Sequence, residues 1–247
     1  MISCRNLSKT FGEFTAVDGI TIDVEQGGIC AFLGPNGAGK STTVKMLTGL
    51  LRPSRGEAIV AGFDVVRQPM ELKQAIGVLP EDLGLFDSLT VEEHLLMSGP
   101  IYGLSEAETK SRSRQLLEAL GLAHGRNTFA NQCSNGMRKK TALAMALLHD
   151  PKVLFLDEPF EGIDPVTSKT IRDLLTMLSA RGVTIFLTSH ILTIVEKLAT
   201  QIDMIRGGRI VWTSAADALP QALEDHYFDL VEAPPALELE WLGSRKS

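Results

Sequence analysis

The sequence predicts an α/β fold built on a mostly parallel sheet with helices on both faces. Two observations carry this. Short apolar runs at 29–33, 76–79, 153–156 and 184–187 alternate with helical patterns over 39–50, 136–149 and 166–181. Between 83 and about 132 the alternation stops and helical patterns dominate, over 91–102 and 106–120. That stretch reads as a helical subdomain inserted into the α/β body, at about 83–150.

The elements follow in order. Ile20, Ile22 and Val24 alternate with Thr21 and Asp23, the period of two of a half-buried strand. Gly27-Gly28 turns the chain into the apolar strand 29–33, which runs into a glycine-rich loop and a helix. Arg52-Pro53-Ser54-Arg55-Gly56 ends that region with breakers before a strand at 57–60. The strand at 76–79 leads into Pro80, and the strand at 153–156 ends in two acids. Beyond Ala218 the pattern weakens and Pro234-Pro235 interrupts it, so 215–247 reads as a tail, with Trp241 expected to pack back on the body.

With 247 residues, the chain accommodates one sizeable α/β core and a small subdomain, and is too short for two full domains of that kind. Its 44% hydrophobic and 22% charged residues argue for an ordered globular protein. A net charge of −6 argues against a free-standing nucleic-acid binder, since Arg138-Lys139-Lys140 is the only tight basic cluster. Cys4, Cys30 and Cys133 show no metal-ligand spacing and read as reduced thiols. The N-terminus lacks a signal-like apolar stretch. The longest apolar run, 142–148, is far short of the ~20 residues that span a bilayer. The chain is therefore expected in the cytoplasm, with any membrane role requiring a separate anchor.

Gly34-Pro35-Asn36-Gly37-Ala38-Gly39-Lys40-Ser41 fits G-x-x-x-x-G-K-[ST] between an apolar strand and a helix. Glycines let several N–H groups turn toward one anion, and the helix adds the positive end of its dipole. Lys40 suits the β- and γ-phosphates, Ser41 can ligate Mg²⁺, and Thr42 can add a phosphate contact. Alone, the loop says only nucleoside triphosphate. Asp157 and Glu158, at the C-terminal end of a strand, stand where α/β sheets bind ligands. Asp157 is expected to serve Mg²⁺, and Glu158 to act as base or orienter for water.

Cys133-Ser134-Asn135-Gly136-Met137, ahead of a helix and the two-acid strand, completes a resemblance to the ABC ATPase family over residues 1 to about 214. The stretch resembles the family's signature loop, usually LSGGQ. Ser134 and Gly136 match, while Cys133, Asn135 and Met137 depart from it. The S-x-G-M form is closer to ABC-2-type exporters. The resemblance implies a P-loop NTPase core with an N-terminal antiparallel β portion and the helical insertion. It implies a Mg-dependent ATPase that works as a head-to-tail dimer, of two copies or with a related subunit. In that dimer Ser134, Asn135, Gly136 and Met137 reach the opposite subunit's ATP.

Further roles rest on the same resemblance. Phe11, before Gly12, looks like the ring that stacks on adenine. Glu81 stands where a glutamine usually senses Mg²⁺ and water, and a carboxylate there retains metal-binding capacity. Asp164 looks like the residue coupling the two sites, and His190 like the switch histidine that acts with Glu158 and Lys40 in catalysis. The family layout places the chain on the inner face of the membrane through a transmembrane permease, contacted near Leu83, Leu85 and Phe86, with an exporter's unnamed cargo. Packing of those residues within the subdomain is the competing account. A soluble ABC-type ATPase acting on ribosomes or DNA is the alternative function. The chain lacks the second ATPase domain, long coiled coil or basic run that would favour it.

Overall fold

The computed structural model of the chain describes residues 1–215 together with Leu223, Glu224, Tyr227 and Phe228. The expectation for Trp241 lies outside the described residues. Ten strands form two sheets among the described residues. The first is antiparallel, in the order β2-β1-β4-β5, from β1 (Ile2–Phe11), β2 (Phe14–Val24), β4 (Arg55–Val60) and β5 (Phe63–Asp64). The second has the order β10-β9-β3-β8-β7-β6, from β3 (Ile29–Leu33), β6 (Ile76–Leu79), β7 (Val153–Leu156), β8 (Thr184–Ser189), β9 (Gln201–Arg206) and β10 (Arg209–Ala215). Its pairings are parallel except between β9 and β10. The mostly parallel sheet and the antiparallel N-terminal portion therefore both stand as expected.

Seven α-helices accompany them among the described residues. They are α1 (Lys40–Leu47), α2 (Pro69–Ala75), α3 (Val91–Ile101), α4 (Glu106–Ala119), α5 (Asn135–Leu147), α6 (Pro165–Ala180) and α7 (Leu192–Leu198). The insertion between β6 and β7 holds α3, α4 and α5. Its first two helices start at capping boxes, Thr90 with Glu93 and Ser105 with Glu108, which satisfy N–H groups at each exposed helix start.

The period of two along the central strands divides the core. Ile29, Ala31, Leu33, Leu154, Leu156, Ile185 and Leu187 face one way, against Leu95 of α3, Leu143 of α5 and Leu175 of α6. Cys30, Phe32, Phe155 and Phe186 face the other way, against Val44 and Leu47 of α1 and the inner side of the antiparallel sheet. On that sheet Ile20, Ile22 and Val24 are buried while Thr21 and Asp23 are exposed. The Phe186 ring sits between Phe32 and Phe155, at centroid separations of 5.3 and 5.7 Å. These tilted aromatic contacts lock three adjacent strands together. Continuous burial of β3, β7 and β8 is what a parallel strand covered on both faces requires.

Phe186 is fully buried at the centre of this layer. Phe186→Ala is expected to lower the unfolding free energy by about 3–5 kcal/mol, read from urea denaturation.

Candidate functional site

The parallel strands all deliver their C-terminal ends to one edge, where α/β sheets place their ligands. Four of those ends build a cleft of about 680 Å³. The glycine-rich loop leaves β3, Glu81 follows β6, Asp157 and Glu158 follow β7, and His190 follows β8.

The loop from Gly34 closes onto α1 at Lys40. Gly39 precedes the helix with φ 111°, and a Cβ there would meet the Ala16 carbonyl oxygen at 2.6 Å. Only glycine fits this backbone. As N-cap it contributes no side chain, so the N–H groups opening α1 are not capped by it and suit an anion. Lys40 is buried, and its ammonium donates to the Gly34 carbonyl at 2.7 Å and the Pro35 carbonyl at 3.4 Å. It also stands 3.6 Å from Glu158 Oε1. A buried cation needs such partners, and they keep it aimed into the cleft.

Glu158 is the hub of the polar cluster. Its Oε1 faces Lys40 and its Oε2 lies 3.0 Å from His190 Nδ1. Against an ionised carboxylate Nδ1 carries the hydrogen, which leaves Nε2 for a ligand. The Glu158 backbone has φ 47°, a left-handed conformation that costs a non-glycine residue about 1–3 kcal/mol. Its surroundings hold it there. Its N–H donates to Thr188 Oγ1 at 2.9 Å, and the Lys139 ammonium donates to its carbonyl. Burial pushes the Lys139 pKa down, opposed by the charges of Glu161, Glu158 and Glu81. Thr188 in turn donates to Asp157 Oδ1 at 2.6 Å. One buried hydroxyl thus ties both acids together.

The structure brings most of the anticipated residues to the cleft. Gly34, Pro35, Asn36, Gly37, Gly39, Lys40, Ser41, Thr42, Glu81, Glu158 and His190 line it. Ala38 is buried behind the loop. Asp157 lines two adjoining hollows, each shared with Glu81. Phe11 is not part of the cleft wall. Phe14, paired with it across the β1–β2 hairpin, lines the wall with Ala16. Phe11 is half exposed, with the Lys9 ammonium 5.1 Å from its ring centroid.

Ser134, Gly136 and Met137 do not line their own chain's cleft, and Asn135 reaches only the adjoining hollow that holds Glu81, Asp157 and Glu158. Ser134 caps α5 by accepting from the Met137 N–H at 3.2 Å. Gly136 packs where a Cβ would come within 2.9 Å of Thr167 Oγ1. Asp164 caps α6, accepting from the N–H groups of Val166 and Thr167 and from the Thr167 hydroxyl. The Thr167 hydroxyl first, then those N–H groups, holds the Asp164 pKa below its usual value. Thr188, Lys139, Glu161, Phe14 and Tyr227 are site residues that the sequence reading missed. Of these only Thr188 carried a local signal, its place beside Ser189-His190.

The donor chemistry fits magnesium. Ser41 lines the cleft and Asp157 and Glu81 share the adjoining hollows, so that together they offer hard oxygen ligands. Such a set matches an ion that takes the rest of its shell from phosphate and water.

A phosphate loop, strand-end acids and a following histidine on this sheet, with a helical insertion between β6 and β7, define an ATP-binding cassette. Residues 17–161 match the profile of the ABC transporter family. The chain is 38% identical over 224 residues to the ABC transporter ATP-binding protein NatA of Bacillus subtilis (strain 168), covering 89% of this chain and 91% of that protein. It is 37% identical over 212 residues to the bacitracin transport ATP-binding protein BcrA of Bacillus licheniformis, covering 85% and 68%. A solved ATP-binding subunit of an ABC transporter superposes with a TM-score of 0.81 at 31% identity, covering 94% and 95%. The chain belongs to the ABC transporter family, as an ATP-binding subunit.

Thr188→Val keeps the shape but strips the donor from Asp157 and the acceptor from the Glu158 N–H. Unfolding stability is expected to fall by about 1–3 kcal/mol in urea titrations.

Proposed function

We propose that the chain hydrolyses Mg-ATP in the cleft and acts as one half of a head-to-tail dimer that powers export through a separate membrane permease. The observation that carries this is the convergence of Lys40, Glu158 and His190 on one cleft that the chain's own Ser134 loop does not line. A second subunit is the natural source of that missing wall. No observation favours action on ribosomes or DNA.

In this reading the loop N–H groups and Lys40 bind the phosphates, and Thr42 adds a contact. The adenine packs against the hairpin, with Phe14 on the cleft wall and Phe11 beside it. Ser41, Asp157 and Glu81 would hold Mg²⁺, which would supply positive charge to the phosphates. Glu158 takes a proton from the attacking water as its oxygen bonds to the γ-phosphorus. The bond to the bridging oxygen breaks and ADP leaves with the electron pair. His190, whose Nδ1–H donates to Glu158, gives a second hydrogen bond from Nε2–H to the terminal phosphate as an imidazolium. Positioning and charge placement provide the acceleration. The partner's Ser134 hydroxyl and the N–H groups at Asn135 and Gly136 close over the γ-phosphate with Met137 beside them, and Asp164 links the two sites by holding the start of α6 against Gly136.

No helix among the described residues is long and apolar enough to cross a membrane, and in this reading the permease holds the chain on the inner face. A small apolar groove of about 210 Å³ includes Pro80, Leu83, Ile101 and Tyr102. Leu83 and Leu85 pack partly against the core, whereas Phe86 is exposed and stacks on His94 at 6.3 Å. Phe86 and the groove are the surface offered to the permease. The transport role in the name of the bacitracin relative supports an antibiotic-like cargo.

Glu158→Gln is expected to cut ATP turnover by roughly 10²–10⁴-fold while ATP still converts monomer to dimer in light scattering. The same variant, used as bait with ATP in detergent extracts, is expected to recover a polytopic membrane protein. Full turnover in the variant removes Glu158 from its role, and recovery of ribosomes alone removes the transporter reading.

A further inference from the structure

The C-terminal segment reaches the nucleotide cleft. Tyr227 lines it together with Lys40, Ser41, Glu158 and His190, although about seventy residues separate Tyr227 from Glu158 in the chain. The placement has a firm anchor. Leu223, four positions earlier, is fully buried in the core, and its N–H donates to Glu196 Oε1 at 2.9 Å. Glu196 belongs to α7, the helix that follows His190. Tyr227 itself is partly buried against the same core, with the Phe228 ring edge-on at 5.9 Å.

We propose that Tyr227 is a nucleotide-contacting residue, its phenol O–H donating to the terminal phosphate of bound ATP beside Glu158 and His190. This rests on the reading of the cleft as the ATP site. Three features favour the terminal phosphate over the base. Tyr227 stands close enough to Glu158 to feel its charge, and the hairpin residues Phe14 and Ala16 offer the cleft an apolar surface for adenine. Glu81, Glu158 and Glu161 also line the cleft, so an arriving polyphosphate meets three carboxylates and gains from each added donor. The phenol keeps its proton, because burial raises its pKa and the Glu158 charge adds to that. The anchor ties Leu223 to α7, the helix that follows His190.

The test is equilibrium binding of ADP and of a non-hydrolysable β,γ-imido analogue of ATP to the full chain, by calorimetry with Mg²⁺. Tyr227→Phe is expected to weaken the triphosphate analogue roughly tenfold and leave ADP unchanged, as loss of one hydrogen bond to a charged oxygen requires. Leu223→Asp, which detaches the segment, is expected to show the same selective loss. If that variant unfolds, the conservative Phe variant still gives the answer. Wild-type affinity for both ligands in Tyr227→Phe overturns the proposal. Tighter binding also overturns it, and makes the segment a plug. Failure of the wild-type chain to bind either nucleotide, with Lys40→Ala indistinguishable from it, refutes the ATP-site reading instead.

Discussion

Glu158 is a buried carboxylate held between the Lys40 ammonium and the His190 ring on a left-handed backbone. Everything at the catalytic edge answers to that arrangement. Its left-handed φ is costly, and its charge is costly to bury. Thr188 and Lys139 hold the backbone, while Lys40 and His190 answer the charge. Strain of this kind persists only where neighbours over-determine it. Here the neighbours come from α1, α5 and β8, so the acid's position reports on three separate elements.

The sheet makes this possible. Parallel strands bring their C-terminal ends to one edge, and the β7–β8 register pairs Leu156 with Leu187. The next residues, Asp157 and Thr188, then meet across the strand ends. The aromatic layer of Phe32, Phe155 and Phe186 fixes the spacing of β3, β8 and β7 beneath the loop, the histidine and the acids. On the opposite face α5 and α6 meet at their N-termini, where Gly136 lies against Thr167 and Asp164. The Ser134 loop is thus joined to the helix after the acids, and the main cleft of its own chain is not lined by it. In the proposed dimer such a subunit contributes to two sites.

Much of this was legible because it is local. The loop from Gly34 to Ser41, the acids after β7 and the helices of the insertion each announce themselves within ten or so residues. Other parts were not. β1 escaped notice because its pairing slips between Cys4, Leu7 and Lys9, which breaks the period of two. β9 hides a buried Asp203 inside an apolar run, held by Thr213, Cys30 and Gln201. The short helices α2 and α7 span seven residues each, too few for a helical period to declare itself. The place of Phe14 follows from hairpin pairing, and that of Thr188 from register between strands. Tyr227 depends on a long-range docking contact, and nothing in its immediate sequence marks it as a site residue.

The central claim is that each cleft is completed by the other subunit. Mixing two inactive variants tests it most directly. Lys40→Ala disables a chain's own cleft, and Ser134→Arg disables the loop it lends. In a head-to-tail dimer the mixture contains one intact site, formed by the cleft of the Ser134→Arg chain and the loop of the Lys40→Ala chain. The account predicts that single-turnover ATP hydrolysis is absent from either variant alone and reappears on mixing. A mixture as inactive as its parts, with mixed dimers shown to form, would contradict it.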